Sequence, residues 1–153
     1  MASTLSNSTL VVTITEKLTL NGRDHGSNHK ITITGVNEVS KRILTCAVTP
    51  GTQIYAGGSA ASYGTFVTDN VKYIRVSNLD DANSVVLHLS DGSSHHSQHL
   101  LAAGQVFFLS DLSASFDSAA TVAAFSGENI VRIDAMSSHA SEAVDIEILV
   151  ASA

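Results

Sequence analysis

Histidine is the side chain in this sequence best equipped for chemistry. Seven are present, and four of them cluster: His88, His95, His96 and His99. Deprotonated imidazole nitrogens bind Zn, Ni or Cu well. If Asp91-Gly92 forms a two-residue hairpin turn, Ser90 pairs with Ser93 and His88 lies directly opposite His95. Side chains alternate along a strand, so His99 shares that face and His96 points the other way. His88, His95 and His99 are therefore the candidate metal ligands.

Two observations oppose a metal site within one chain. His99 stands two cross-strand steps from the other pair, and no Asp, Glu or Cys occupies a matching position on these strands. Cupin metal sites combine two close histidines, a glutamate and a glycine turn. Here His95-His96-Ser97-Gln98-His99 leads to Gly104 without the glutamate and without a His-x-His pair. Histidines gathered by a symmetry axis, one from each subunit, and surface histidines with no role are the competing readings.

Other motifs fall short. Gly57-Gly58-Ser59-Ala60-Ala61 lacks the closing glycine of a nucleophile elbow and has no parallel α/β context. There is neither a phosphate loop nor a dinucleotide fingerprint. Asp80-Asp81-Ala82-Asn83 sits between two strand-like runs, where Asp and Asn are ordinary turn formers. The single cysteine, Cys46, excludes an intrachain disulfide and a cysteine-based zinc site, and its apolar run makes it a small buried hydrophobe. The expectation is a chain with no catalytic residue and no cofactor.

Charge narrows the classes further. Eight Lys and Arg against fourteen Asp and Glu give a net charge of −6 in 153 residues. The cations are scattered, so no basic stripe exists to neutralise phosphates and nucleic acid is not an expected partner. No run of 18 apolar residues is present to span a membrane, and the N-terminus, without a positive or an apolar region, does not read as a secretory signal. Only 14% of residues are charged. Solubility rests instead on 22 Ser and 13 Thr.

The elements that must position these residues are strands. Leu10–Leu20 alternates, Asn21-Gly22 is a turn signal, and His29–Val36 returns. This predicts a long hairpin whose tip presents Arg23, Asp24, His25 and Asn28. Further strands are expected over Glu38–Thr49, Gln53–Ala56, Val71–Leu79, Ser84–Ser90, His95–Leu101 and Gln105–Leu109, the last four as a meander. Ser110–Ala124 reads as loop with one helical turn. Val122–Phe125, Ile130–Met136 and Ala143–Ala151 complete the pattern. Residues 1–8 are expected to be loose and residues 9–153 to form one all-β domain. Nine to ten short strands at this spacing describe an antiparallel β-sandwich or barrel.

Two stretches carry a resemblance. Val71-Lys72-Tyr73-Ile74-Arg75-Val76-Ser77-Asn78-Leu79-Asp80-Asp81, with Leu101-Ala102-Ala103-Gly104-Gln105-Val106-Phe107-Phe108-Leu109, resembles segments of small β-rich virion proteins of marine and cyanobacterial tailed bacteriophages. Arg42-Ile43-Leu44-Thr45 fits the same pattern. The resemblance transfers no catalytic residue. It implies a structural protein of the virion, either a capsid decoration (cement) protein on the head or a tail-associated, receptor-binding component. It further implies a symmetric oligomer such as a homotrimer, the major capsid protein or other virion proteins as partners, and residence in the host cytoplasm during assembly. Low charge and exposed small apolar groups suit permanent packing against like chains. A metal-dependent β-barrel and a carbohydrate-binding sandwich are the remaining alternatives. The second would want aromatic platforms, and the chain has no Trp and only Tyr55, Tyr63 and Tyr73.

Overall fold

The computed structural model describes residues 6–114, 125 and 127–153. The fold is all-β, as expected, and consists of an arm and a sandwich. The arm comprises β1 (Ser8–Glu16), β2 (Thr19–Leu20), β3 (Arg23–Asp24) and β4 (Ser27–Val36). The sandwich strands begin with β5 (Glu38–Cys46), β6 (Thr52–Gly58), β7 (Phe66–Val67), β8 (Val71–Asn78) and β9 (Val85–Ser90). They continue with β10 (His96–Leu101), β11 (Val106–Leu109), β12 (Ser113–Ala114), β13 (Glu128–Asn129), β14 (Arg132–Ser137) and β15 (Val144–Ser152).

One sheet has the order β10-β9-β14-β6-β7 and the other β11-β8-β15-β5. The nine to ten strands expected included the two long strands of the arm; the described residues form fifteen short strands, nine in these two sheets, four in the arm and two in the β12–β13 ladder. Among the described residues every strand pairing is antiparallel except β6 with β7. Alternation explains the packing. Val144, Ile146, Ile148 and Val150 of β15 turn inward to meet Val85, Leu87 and Leu89 of β9 and Ile133 of β14, all buried. Cys46 is buried at the end of β5.

The expected meander is corrected. β9 and β10 do form a hairpin, but β8 and β9 lie in different sheets, as do β10 and β11. The chain arches across the sandwich at both links. Asn78 holds the first arch: its Nδ2 donates to the carbonyls of Asn83 (2.9 Å) and Leu101 (3.1 Å), and its Oδ1 accepts from the Asp80 N–H (3.0 Å). Asp80 then accepts from Ala82 and Asn83, which holds its carboxyl below the usual range, chiefly through the Asn83 N–H. The helical turn and the Val122–Phe125 strand fall mainly outside the described residues. Leu112 is buried in the core, and Ser113–Ala114 pairs with Glu128–Asn129.

The long hairpin is present. Asn21 (φ 51°) and Gly22 (φ 73°) form its two-residue tip, the left-handed pair that an Asn-Gly turn favours. Ser8 is the first residue of β1. At the base, Ser8 opposes Val36 and Thr9 opposes Thr34, leaving Gly35 (φ 79°) as a bulge that bends the arm away. Leu10, Val12 and Ile33 pack there on Tyr73, Leu149 and Ala151, on the outer face of the four-stranded sheet.

Candidate functional site

The histidine face is rearranged relative to the sequence reading. Ser90 pairs with His96, not Ser93, so Asp91–His95 is a five-residue loop. Asp91 causes the extension. Its carboxylate accepts from the Ser93 N–H (2.8 Å) and lies 2.6 Å from His95 Nδ1, wrapping the loop around one side chain. These bonds, the Ser93 N–H foremost, hold the Asp91 carboxyl down at about 2. His95 is therefore a loop residue. His88 opposes Gln98 and stands on the outer face of the five-stranded sheet. His99 opposes Leu87 on the inner side of the edge strand β10, its ring 5.2 Å from that of Phe107. The set His88, His95 and His99 is thus dispersed. Among the described residues, no group of three or more His, Cys, Asp or Glu is placed to hold a metal ion.

His96, expected on the opposite face, is the residue that joins His88. Their rings stack with centroids 4.9 Å apart. A carboxylate does approach, from a third strand. Asp134 of β14 opposes His88, with its Oδ2 4.0 Å from His88 Nδ1, beyond hydrogen-bond length. Asp134 is instead gripped by Arg132, which donates from Nε (2.7 Å) and Nη2 (3.0 Å). His88, Arg132 and Asp134, with Val86, Gln98, Met136 and Pro50, border a cavity of about 370 Å3. On the same face Ser90 Oγ accepts from the Gly92 N–H (3.0 Å). The cavity offers hydrogen bonding and a balanced charge pair, without the nucleophile–base contact of acyl transfer.

The arm tip is built from the other candidate residues. Asp24 is structural: its Oδ1 accepts from the Gly26 N–H (2.8 Å). A Cβ at Gly26 would lie 2.5 Å from the Glu16 carbonyl oxygen, which is why the chain needs glycine there. His25 donates its backbone N–H to the Leu18 carbonyl (2.7 Å), leaving its ring exposed. Arg23 and Asn28 are exposed too. The concave side of the tip, bordered by Glu16, Lys17, Leu18, Asp24 and Asn28, encloses about 650 Å3.

A third surface was not singled out from sequence. On the outer face of the four-stranded sheet, Val39 (61% exposed), Ile43 (65%), Val106 (54%) and Phe108 (39%) face solvent. Two cations among them share one carboxylate: Glu147 accepts from Lys41 (2.9 Å) and from Arg75. The Lys41 bond, foremost, holds the Glu147 carboxyl below its ordinary range. Alternation along Val39-Ser40-Lys41-Arg42-Ile43 would have put Val39, Lys41 and Ile43 on one side. That this side is the outer one follows only from the pairing with β15.

No family model, curated protein or solved structure matches this chain.

Proposed function

We propose that this chain is a non-enzymatic structural protein of a virion, a capsid decoration (cement) protein that stabilises the head of a tailed bacteriophage from the capsid exterior. The observation that carries the reading is the outer face of the four-stranded sheet. Large apolar side chains stand exposed there around charges already paired within the chain. Permanent interfaces are apolar and poor in unpaired charge, because burying an unpaired charge is costly. The partners are further copies of the chain, as a homotrimer, and the major capsid protein. The resemblance of the β8 and β11 segments to phage virion proteins supplies the particle.

Quantitative mass spectrometry of purified particles tests this. Copies on the scale of the whole shell are expected. Absence from the particle, or a few copies per particle, would defeat the decoration reading.

One observation favours a second reading, a tail or receptor-binding component. The arm carries a tight tip that presents Arg23, His25 and Asn28 clear of the sandwich. In that case Arg23→Ala with Asn28→Ala abolishes host adsorption while particles still assemble. Unchanged adsorption would remove it.

A further inference from the structure

The tip of the arm is set for a reaction that needs no enzyme. The side-chain amide of an asparagine can be attacked by the backbone nitrogen of the residue that follows it. A Cβ on that following residue crowds the attack, so glycine is the neighbour that permits it best. Eight asparagines are present, and Asn21-Gly22 is the one Asn-Gly pair. Each of the other seven precedes a residue with a side chain.

The fold leaves this pair open. Asn21 and Gly22 are exposed, and a Cβ built on Gly22 would meet nothing within 4 Å. The two-residue turn pairs Leu20 with Arg23, so the Gly22 N–H between them is spared by the ladder. A closed turn of this kind, left-handed at both residues, holds Asn21 Cγ away from that nitrogen, so the turn must open for the attack. Little holds it shut. β2 and β3 form their own sheet of two residues per strand, and Leu18 and Leu20 beside it are 54% and 56% exposed. So small a ladder at the end of a hairpin is marginal in water and opens at little cost.

Other positions in the chain lack one element or another. Asp91-Gly92 has the same kind of glycine (φ 83°), but its side chain is a carboxylate with no amine to expel, occupied by the Ser93 N–H (2.8 Å). Asn78, Asn83 and Asn129 commit their Nδ2 atoms to hydrogen bonds, with Leu101, Glu142 and Asp69 among the acceptors.

We infer that Asn21 is a self-modifying site, at which the Gly22 nitrogen closes on Asn21 Cγ and the amide is converted to aspartate and isoaspartate. The step balances with water as its one co-reactant. The Gly22 nitrogen gives up its proton and bonds to Cγ; the Cγ–Nδ2 bond breaks and Nδ2 leaves with that proton as ammonia. Water then opens the five-membered imide. Attack at Cγ breaks its bond to the Gly22 nitrogen and gives aspartate. Attack at the Asn21 backbone carbonyl breaks that bond instead and leaves the chain linked through Cγ as isoaspartate. Nothing is oxidised or reduced. Each converted chain carries one more negative charge, −7 in place of −6. Isoaspartate also adds a carbon to the backbone, which a two-residue turn does not accommodate, so the β2–β3 pairing that positions Arg23 is lost. On the receptor-binding reading, this sets a lifetime on the tip as a recognition surface. The conversion itself rests on no reading of the function.

Peptide mass spectrometry of the full chain, aged in mildly alkaline buffer, reads the result. Asn21 is expected to convert first among the eight asparagines, giving two products of equal mass that separate on chromatography. The native rate is expected to lie within about tenfold of the rate in urea-unfolded chain, because opening the tip costs little. Gly22→Ala is expected to slow conversion by about tenfold through crowding at the nitrogen. Strain at the positive φ of residue 22 would open the tip and speed the reaction, so slowing isolates the chemical step. Asn21→Gln, whose cyclic imide would need a larger ring, is expected to stay unconverted at that position. An Asn21 that stays intact while other asparagines convert overturns the inference. So does a native rate below about a tenth of the unfolded one, which would mean that the tip is locked, or a Gly22→Ala chain that converts as fast as wild type.

Discussion

Replacing Asn78 with alanine should be the most costly single change at the join between the two sheets. The side chain is only 2% exposed and makes three hydrogen bonds, two of them from Nδ2 to the Asn83 and Leu101 carbonyls. Asn83 lies in the arch between β8 and β9, and Leu101 closes β10 in the opposite sheet. Each bond contributes about 1 kcal/mol net, and a buried carbonyl left without a donor costs a further 1–3 kcal/mol or so. Part of that penalty is relieved where water can enter, so the expected loss is about 3 kcal/mol. For a chain of this size that is a fall in Tm of roughly 6–12 °C. Urea unfolding followed by circular dichroism measures it, with an unchanged slope showing that the unfolded state is not altered. Asn78→Asp keeps the acceptor for the Asp80 N–H, loses both donors and sets a charge against two carbonyl oxygens. It should be at least as destabilising. Asp81→Ala, on the exposed part of the same arch, is the control and should stay within about 0.5 kcal/mol of wild type. A loss below about 1 kcal/mol for Asn78→Ala would refute the claim that this side chain ties the sheets together.

Two further outcomes follow from groups with displaced pKa values. The Asp91 carboxyl is held at about 2 against an ordinary 3.8, first by the Ser93 N–H and then by His95. Its folded value is depressed, so its stabilisation is complete above about pH 4 and is lost as pH falls through about 2. Acid titration of stability should show Asp91→Asn flattening that window, and an identical acid limb in the variant would contradict the assignment. Burial, with a smaller push from Asp145, raises the Cys46 thiol to about 11. A thiol reagent at about pH 8 should therefore leave the native protein unlabelled and react fully after unfolding. Rapid native labelling would mean that the β5 edge opens readily.

Much of the fold was legible in the order of side chains. Val144, Ile146, Ile148 and Val150 alternate with Asp145 and Glu147, and a strand buried on one face is the only regular structure that serves this pattern. Asn21-Gly22 declared its own turn, because the left-handed conformations at both positions suit Asn and Gly and few other residues. The arch at Asn78 was hidden for a physical reason. A strand with one apolar face satisfies the alternation equally well whether its successor lies beside it or in the facing sheet.

The histidines mark the same division at the scale of a site. Their number and closeness in sequence are composition, and composition alone made His88, His95 and His99 candidates. Their grouping depended on register, and a side chain's carboxylate overrode the shortest turn. Asp91 accepts from within its own loop, lengthens it to five residues, sends His95 into the loop and brings His96 beside His88. Asp134 reached the same face from a strand more than thirty positions onward, through a neighbour relation between β14 and β9. The sequence by itself determined strands, turns, a low-charge surface and a protruding hairpin, because these follow from local sterics and alternation. Tertiary structure decided which strands are neighbours, which face of β5 meets solvent and which histidines touch, because those depend on contacts between residues far apart along the chain.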